Sequence, residues 1–325
     1  VTLSGISSAS DVNTIVNDTT GIVTATVTEA TAASLNSALA NASSTDALTL
    51  TLTDTALASA DDLIALDGKT SVAVNATSVT SVTDTYADIN TLYGLSGISG
   101  LGNEAVTISD ETSAVNINGI LSKTSGVVTA TVTSDTAASL NSALTNTTGN
   151  DALTLTVTGT AAATDLTALD GKTSVNVNAA SISLLTGTIA QVQAAYTANT
   201  AGTITGLGDE AVTVTDVTLS STDLNSLDLN TSGTITLSNA TTINVANGET
   251  LNLNNFTLSN SVTINDSTGN ENITGTSNSD TLNLNGGNDT VNLGEGSDTV
   301  NVNIGNIDTN DNITDTGTSG TDTLN

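Results

Sequence analysis

Gly275-Thr-Ser-Asn-Ser-Asp-Thr-Leu-Asn283, Leu284-Asn-Gly-Gly-Asn-Asp-Thr-Val-Asn292 and Leu293-Gly-Glu-Gly-Ser-Asp-Thr-Val-Asn301 write one nonapeptide three times. Asp280, Asp289 and Asp298 stand nine apart, and Leu282, Val291 and Val300 follow each Asp by two. A turn of Gly, Asn and Ser therefore alternates with a short strand that points one apolar side chain inward. The unit before, Asp266 to Thr274, carries Glu271 in place of the Asp. Beyond the three, Asp311-Asn312-Ile313 and the unit Gly317 to Asn325, with Asp322, continue the pattern. A chain that stops on a repeat is expected to be a piece of a longer one. If one coil is two nonads, Asp280 and Asp298 share one edge, and Glu271 and Asp289 share the other. Asn and Asp also form turns in their own right, so a metal-free β-solenoid is the competing reading.

The remainder of the composition narrows the chemistry. The 325 residues contain 33 acidic side chains and three lysines (Lys69, Lys123, Lys172), with no Arg, His, Cys, Met, Trp or Pro, for a net charge of −30. Nothing is available to neutralise phosphates, which argues against nucleic acid, and an anionic membrane surface would repel the chain. Salt or divalent cations screen such charge. There is no imidazole base, no thiol nucleophile and no guanidinium clamp, and the aromatic residues are only Tyr86, Tyr93, Tyr196 and Phe256. No stretch reads as a signal peptide or a transmembrane helix.

A second, longer repeat occupies the N-terminal part. Val1 to Thr28 aligns without gaps to Val106 to Thr133, Ala33–Leu39 recurs as Ala138–Leu144, Leu66–Val72 as Leu169–Val175, and Gly100–Val106 as Gly206–Val212. The copies run 1–105 and 106–211, with a partial third over 212–240. Strands alternate apolar residues with Thr over 23–27, 48–52, 72–74, 106–108, 128–132 and 153–157, burying Val23, Val27, Leu50, Val72, Val74 and Ile108. Their Thr faces (Thr24, Thr26, Thr49, Thr51, Thr107, Thr129, Thr131, Thr154, Thr156) form ladders that either face water or bind something. Between strands, Val82, Tyr86, Ile89 and Tyr93, then Ile189, Val192 and Tyr196, and the pairs Leu35/Leu39 and Leu140/Leu144 keep helical spacing. Gly68 and Gly171 stand where a helix ends. One strand and one short helix per unit predict a single parallel sheet with right-handed crossovers, stacked as a solenoid. After about Ala240 the helical spacing stops, and Ile243-Asn-Val245, Leu251-Asn-Leu253 and Val262-Thr-Ile264 read as strands alone.

Several motifs do not hold. Asp67-Gly-Lys-Thr70 and Asp170-Gly-Lys-Thr173 lack the first glycine of a P-loop, and their lysines are expected at a helix C-terminus instead. The glycines Gly94, Gly97, Gly100 and Gly102 precede a strand, so they make no dinucleotide loop. Glu104 and Glu210 occupy equivalent places in two copies, which marks them as structural.

The nonads resemble the calcium-binding repeat of RTX proteins, Gly-Gly-x-Gly-x-Asp-x-U-x. Gly287 and Gly296 match the fourth position where Asn278 does not, and the first two glycines are mostly replaced. The resemblance implies a parallel β-roll, Ca2+ held by Asp280, Asp289, Asp298, Glu271, Asp311 and Asp322 with backbone carbonyls, and export by type I secretion. The N-terminal part, with Gly-Leu-Gly-(Asn/Asp)-Glu-Ala-Val-Thr recurring, resembles repeats of large bacterial surface proteins, particularly of marine cyanobacteria, related to S-layers. The expected architecture is a repeat solenoid. It comprises a parallel β/α solenoid over 1–240 continuing into a parallel β-solenoid over 241–325, with RTX-like nonads over about 266–325. The expected role is a non-enzymatic, extracellular, calcium-stabilised structural protein of a surface layer, filament or adhesin. It would self-associate into a filament or lattice and could contact cell-surface polysaccharide, with no nucleic acid partner and no membrane insertion. An ice- or glycan-binding module using the Thr ladders is the alternative, and a polysaccharide-processing β-helix enzyme is a weaker one.

Overall fold

The computed structural model describes residues 1–302, 305–307 and 309–325. They form two compact units: residues 1–134, 139–156 and 171–176 make the first, and residues 135–138, 157–170 and 177–325 the second.

In the first unit, among the described residues, the strands pair in parallel. Thr2–Ser7, Thr24–Val27 and Ala47–Thr49 form one sheet, with Thr24 opposite Ala47 and Thr26 opposite Thr49. Leu57–Ser59, Ser81–Asp84, Ala105–Ile108, Val128–Thr131 and Ala152–Thr154 form a second, and Val74–Asn75 pairs with Ile98–Ser99 in a third. The single sheet expected from the alternation is therefore three. Residues 50–56 contribute only isolated bridges such as Thr51 to Asn75, and the coils over 57–75 and 81–99 each place two short strands in different sheets. Val23, Val27, Leu50, Val74 and Ile108 are buried, but Val72 is 37% exposed. Its backbone belongs to a turn, where the Val72 amide donates to Thr70 Oγ1, and the strand begins only at Val74.

Helices Ala9–Asp18, Ala32–Ala38, Tyr86–Leu92 and Ala114–Leu121 each start at a hydroxyl, of Ser8, Thr31, Thr85 or Ser113, that accepts from the amide three residues on. That cap satisfies one of the free amides of the first turn. Leu35, Leu39, Ile89, Leu92, Ile117 and Ile120 then fall on the buried side. Val82, which shares the helical spacing, lies instead in the strand Ser81–Asp84. Lys69 Nζ donates to Leu39 O at 3.0 Å and Lys172 Nζ to Leu144 O at 2.6 Å. Each lysine thus closes the helix of the preceding coil, not the helix it follows. Gly68 does end a helix, but with φ −68°, which any residue adopts.

In the second unit, Val177–Gly187, Ala211–Val214, Ile235–Leu237 and Phe256–Thr257 lie in order in one parallel sheet. The last α-helix is Ser221–Asp228, and among the described residues only a short 3-10 turn, Leu253–Asn255, follows it. From there the chain alternates between two sheets. One holds Thr218–Ser220, Thr242–Asn244, Thr263–Asn265, Thr281–Leu284, Thr299–Val302 and Thr323–Leu324. The other holds Thr250–Asn252, Asn272–Thr274, Thr290–Asn292 and Asn312–Thr314. Thr263 pairs with Thr281 and Thr281 with Thr299, so one coil there is two nonads. Ile243, Ile264, Leu282 and Val300 stack inside the first sheet, and Leu251, Ile273 and Val291 inside the second. Asparagines follow them: Asn265 Nδ2 donates to Asn244 Oδ1 at 2.9 Å, Asn283 to Asn265 at 2.7 Å, Asn301 to Asn283 at 3.0 Å and Asn325 to Asn301 at 3.0 Å.

Candidate metal centre

The nine-residue spacing places each acidic side chain just before a strand, at a corner of the coil. There the strand amides of one coil are completed by the carboxylates of the next. Val262 N donates to Asp280 Oδ1 at 3.1 Å, and Asp280 N to Asp298 Oδ1 at 2.7 Å. Asp298 N donates in turn to Asp322 Oδ1 at 3.0 Å. On the opposite edge Glu271 N donates to Asp289 Oδ1 at 2.9 Å, and Asp289 N to Asp311 Oδ1 at 3.0 Å. The structure thus brings Asp280, Asp298 and Asp322 to one edge and Glu271, Asp289 and Asp311 to the other. Asp311 is half-buried and Asp322 exposed, whereas the other four are buried.

The second oxygens divide these residues. Asp280 Oδ2 accepts from Thr276 N at 2.8 Å and from its hydroxyl at 2.7 Å, so both oxygens of Asp280 are used. Thr276 occupies a position where the RTX pattern has glycine, and its hydroxyl is a donor that a glycine would lack. By contrast Asp298 Oδ2, Asp289 Oδ2, Glu271 Oε2 and Asp266 Oδ1 are buried without any hydrogen-bond partner. An unpaired buried carboxylate oxygen is costly, and a cation is one of the few things that resolves it.

Three of these orphan atoms belong to residues that converge. Asp266, Glu271 and Asp289 are at most 6% exposed and offer carboxylate oxygens all within 4.8 Å of one another. Two oxygens bound to one Ca2+ at about 2.4 Å can be no more than about 4.8 Å apart, so the spacing fits a single calcium shell. Glu271 Oε1 is held by Gly248 N at 2.7 Å and Ser267 Oγ at 2.9 Å, and Asp266 Oδ2 by Asn285 N at 3.1 Å. Gly269 and Gly287 let the turns close around the cluster. A Cβ on Gly269 would overlap Asn247 Oδ1 and Glu271 Oε1. A Cβ on Gly287, whose φ is +143°, would overlap Gly269 O.

Electrostatics agree with crowded, dehydrated acids. Burial first, then the Glu271 carboxylate beside it, pushes the Asp266 carboxyl up to about 7. Burial raises Asp289, with the charges of Glu271 and Asp311 adding to it. Asp298 is pushed up to about 6 by burial and by its acidic neighbours Asp280, Asp322 and Asp315. Asp266 escapes the nine-residue spacing, because it stands at the first position of its nonad. The signal for it was an acid where the pattern has glycine.

Other acidic residues have different surroundings. Glu104 accepts from the Tyr93 hydroxyl, from Gly102 N at 2.6 Å and from Asn103 N at 3.1 Å, while Glu210 accepts from the Tyr196 hydroxyl and from Gly208 N at 2.8 Å. Burial raises both phenols well above their ordinary range, helped by these carboxylates. They are structural clamps on the Gly-Leu-Gly turn. Asp61, Asp84 and Asp88 also gather, but the cluster opens to solvent and none of its oxygens is both buried and unpartnered. Repulsion from Asp88 and then Asp84 raises Asp61.

Residues 266–300 match the family model of the RTX calcium-binding nonapeptide repeat (4 copies). This segment carries RTX repeats, and RTX nonapeptides bind Ca2+. No match was found among curated proteins or among solved structures. Among the described residues no helix is long and apolar enough to cross a membrane.

Proposed function

We propose that this chain is a calcium-stabilised structural segment of a secreted bacterial protein, serving a surface layer, filament or adhesin, and that its Ca2+ is held between the stacked turns of residues 266–325. The observation that carries this reading is the set of buried carboxylate oxygens left without donors within the RTX-matched stretch. Asp289, Glu271 and Asp298 are the ligands it favours among those expected from the spacing, with Asp311 and Asp322 completing the two edges. Asp280 fits less well, because its oxygens are already engaged. The composition supports a scaffold over an enzyme, since no His, Cys or Arg is present to carry acid–base, nucleophilic or anion-clamping chemistry. Type I export and self-association into a filament or lattice follow from the same reading. The ice- or glycan-binding alternative has in-register threonines to draw on, Thr26 with Thr49, Thr107 with Thr129 and Thr131 with Thr154, but these rows are interrupted where Thr24 opposes Ala47 and Thr129 opposes Ala152.

Thermal melting of the full chain tests the proposal. Millimolar Ca2+ should raise the melting temperature of a transition that chelator lowers again, and Mg2+ should do much less, because Mg2+ demands a tighter octahedral shell of about 2.0–2.1 Å. Identical melting in calcium, magnesium and chelator would leave only a metal-free solenoid with acidic turns.

A further inference from the structure

Buried acids elsewhere in the chain serve as internal controls. Asp46 Oδ1 accepts from Val23 N, and its Oδ2 from Ser43 N and Oγ. Asp151 repeats this with Val128 N and with Thr148 N and Oγ1. Glu104 and Glu210 likewise employ both oxygens. A structural carboxylate in this protein is therefore fully partnered. Asp266 is not: Oδ2 meets Asn285 N, and Oδ1 is buried with no donor. It stands where the RTX pattern has its first glycine, and its neighbour Glu271 stands where that pattern has Asp.

We infer that Asp266 is a third side-chain ligand, and that Asp266, Glu271 and Asp289 form one three-carboxylate calcium site that binds tightest of all those in the roll. The inference rests on the calcium-roll reading above and concerns which residues make the first site. Three arguments support it. The three carboxylates lie within one calcium shell. Their other oxygens are tied to Gly248 N, Ser267 Oγ, Asn285 N and Glu271 N, which fixes the free oxygens in place before metal arrives. Affinity in all-oxygen sites rises with the number of ligand charges and with site rigidity, and among the described residues no other cluster of buried acids brings three together. The site also lies at a junction. Gly248, from the turn preceding the strand Thr250–Asn252, holds Glu271 of the first nonad, so the first ion would fasten the nonads to the coil that precedes them.

The test is calcium titration calorimetry on the full chain, paired with thermal melting in calcium and in chelator, for the wild type, Asp266→Asn, Asp289→Asn and Asp216→Asn. Asp216 binds Ile189 N outside the nonads and controls for loss of one charge. Asp266→Asn and Asp289→Asn should each weaken the tightest site by at least about tenfold, and Asp216→Asn should leave it within about twofold. Asparagine keeps an acceptor for Asn285 N but removes a buried charge. Asp266→Asn should therefore melt higher than wild type in chelator and lower than wild type in calcium. This reversal of sign separates a ligand from a structural acid. If Asp266→Asn binds calcium as wild type while Asp289→Asn does not, or if it melts lower in both media, Asp266 is not a ligand and the calcium roll stands without it. If the wild type itself binds no calcium, both this inference and the reading beneath it fall.

Discussion

The backbone amide of Asp280 donates to Oδ1 of Asp298 at 2.7 Å, across eighteen positions of sequence. The same bond joins Val23 to Asp46 and Val128 to Asp151 at 2.9 Å in the helical coils. An acid placed immediately before a strand thus accepts from the amide at or just before the start of the neighbouring strand, in the nonads and in the helical coils alike. In the proposed calcium roll the nonapeptide Asp has two tasks on its two oxygens, one in the coil ladder and one toward a cation. Asp280 performs only the first.

That division predicts opposite outcomes on one edge. Asp280→Asn turns an amino group toward Thr276 N–H and should cost about 1–3 kcal/mol in calcium and in chelator alike. Asp298→Asn retains an acceptor for Asp280 N and removes a buried charge, so it should stabilise the chelated protein and weaken its response to calcium. Urea denaturation of both variants in both media checks this.

The pH dependence of the metal-free protein follows from its raised carboxyls. Asp266 and Asp298 hold protons in the folded state up to about 7 and about 6, whereas unfolded Asp releases them near 3.8. The folded state therefore binds more protons between about pH 4 and pH 7, and stability must fall as pH rises through that window. In chelator the nonad transition should melt higher at pH 5 than at pH 8. A flat profile would mean that the acids separate freely when the metal leaves.

Gly287→Ala should damage the roll whatever the metal. Its φ of +143° disfavours any side chain, and the added methyl would overlap Gly269 O. A loss of about 2 kcal/mol or more is expected in chelator, and at least as large a loss in calcium, because the turn closes on the Asp289 carboxylate. Melting in the two media would show it, and rescue by calcium would count against the rigidity of this turn.

Tyr93→Phe strips Glu104, which is 1% exposed, of a hydroxyl donor. A loss of about 1–3 kcal/mol is expected in the helical coils, with calcium affinity unchanged. Tyr196→Phe should do the same through Glu210. Calorimetry and denaturation together separate the two effects.

How far these features could be read beforehand depended on the kind of regularity that carried them. The spacing of Asp280, Asp289 and Asp298 fixed which acids share an edge, because two nonads make one coil. Alternation in Val23–Val27 found a strand, but it could not show that the strands of these coils divide among three sheets. Val72 copies the alternation yet lies in a turn held by Thr70. Asp266 lies outside the nine-residue spacing, and its place beside Glu271 and Asp289 emerges only in the fold. The pairing of Tyr93 with Glu104 was legible in principle, since Tyr196 and Glu210 repeat it, but the separations of eleven and fourteen residues differ and hide the match.

The asparagine ladder from Asn244 to Asn325 sets a limit on misfolding. Ile264, Leu282 and Val300 are nearly interchangeable as core residues, so apolar packing alone discriminates poorly between alignments of neighbouring coils. A slip of one residue would turn the core face outward and also set Asn283 against Ile264 or Asp266 in place of Asn265, breaking rungs on both sides. The ladder is blind to a slip of a whole coil, which restores every rung. Only unequal coil lengths can catch that error: eighteen residues separate Asn265 from Asn283 and Asn283 from Asn301, but twenty-four separate Asn301 from Asn325. The longer coil gives a repetitive sequence a mark of position that its repeats cannot supply.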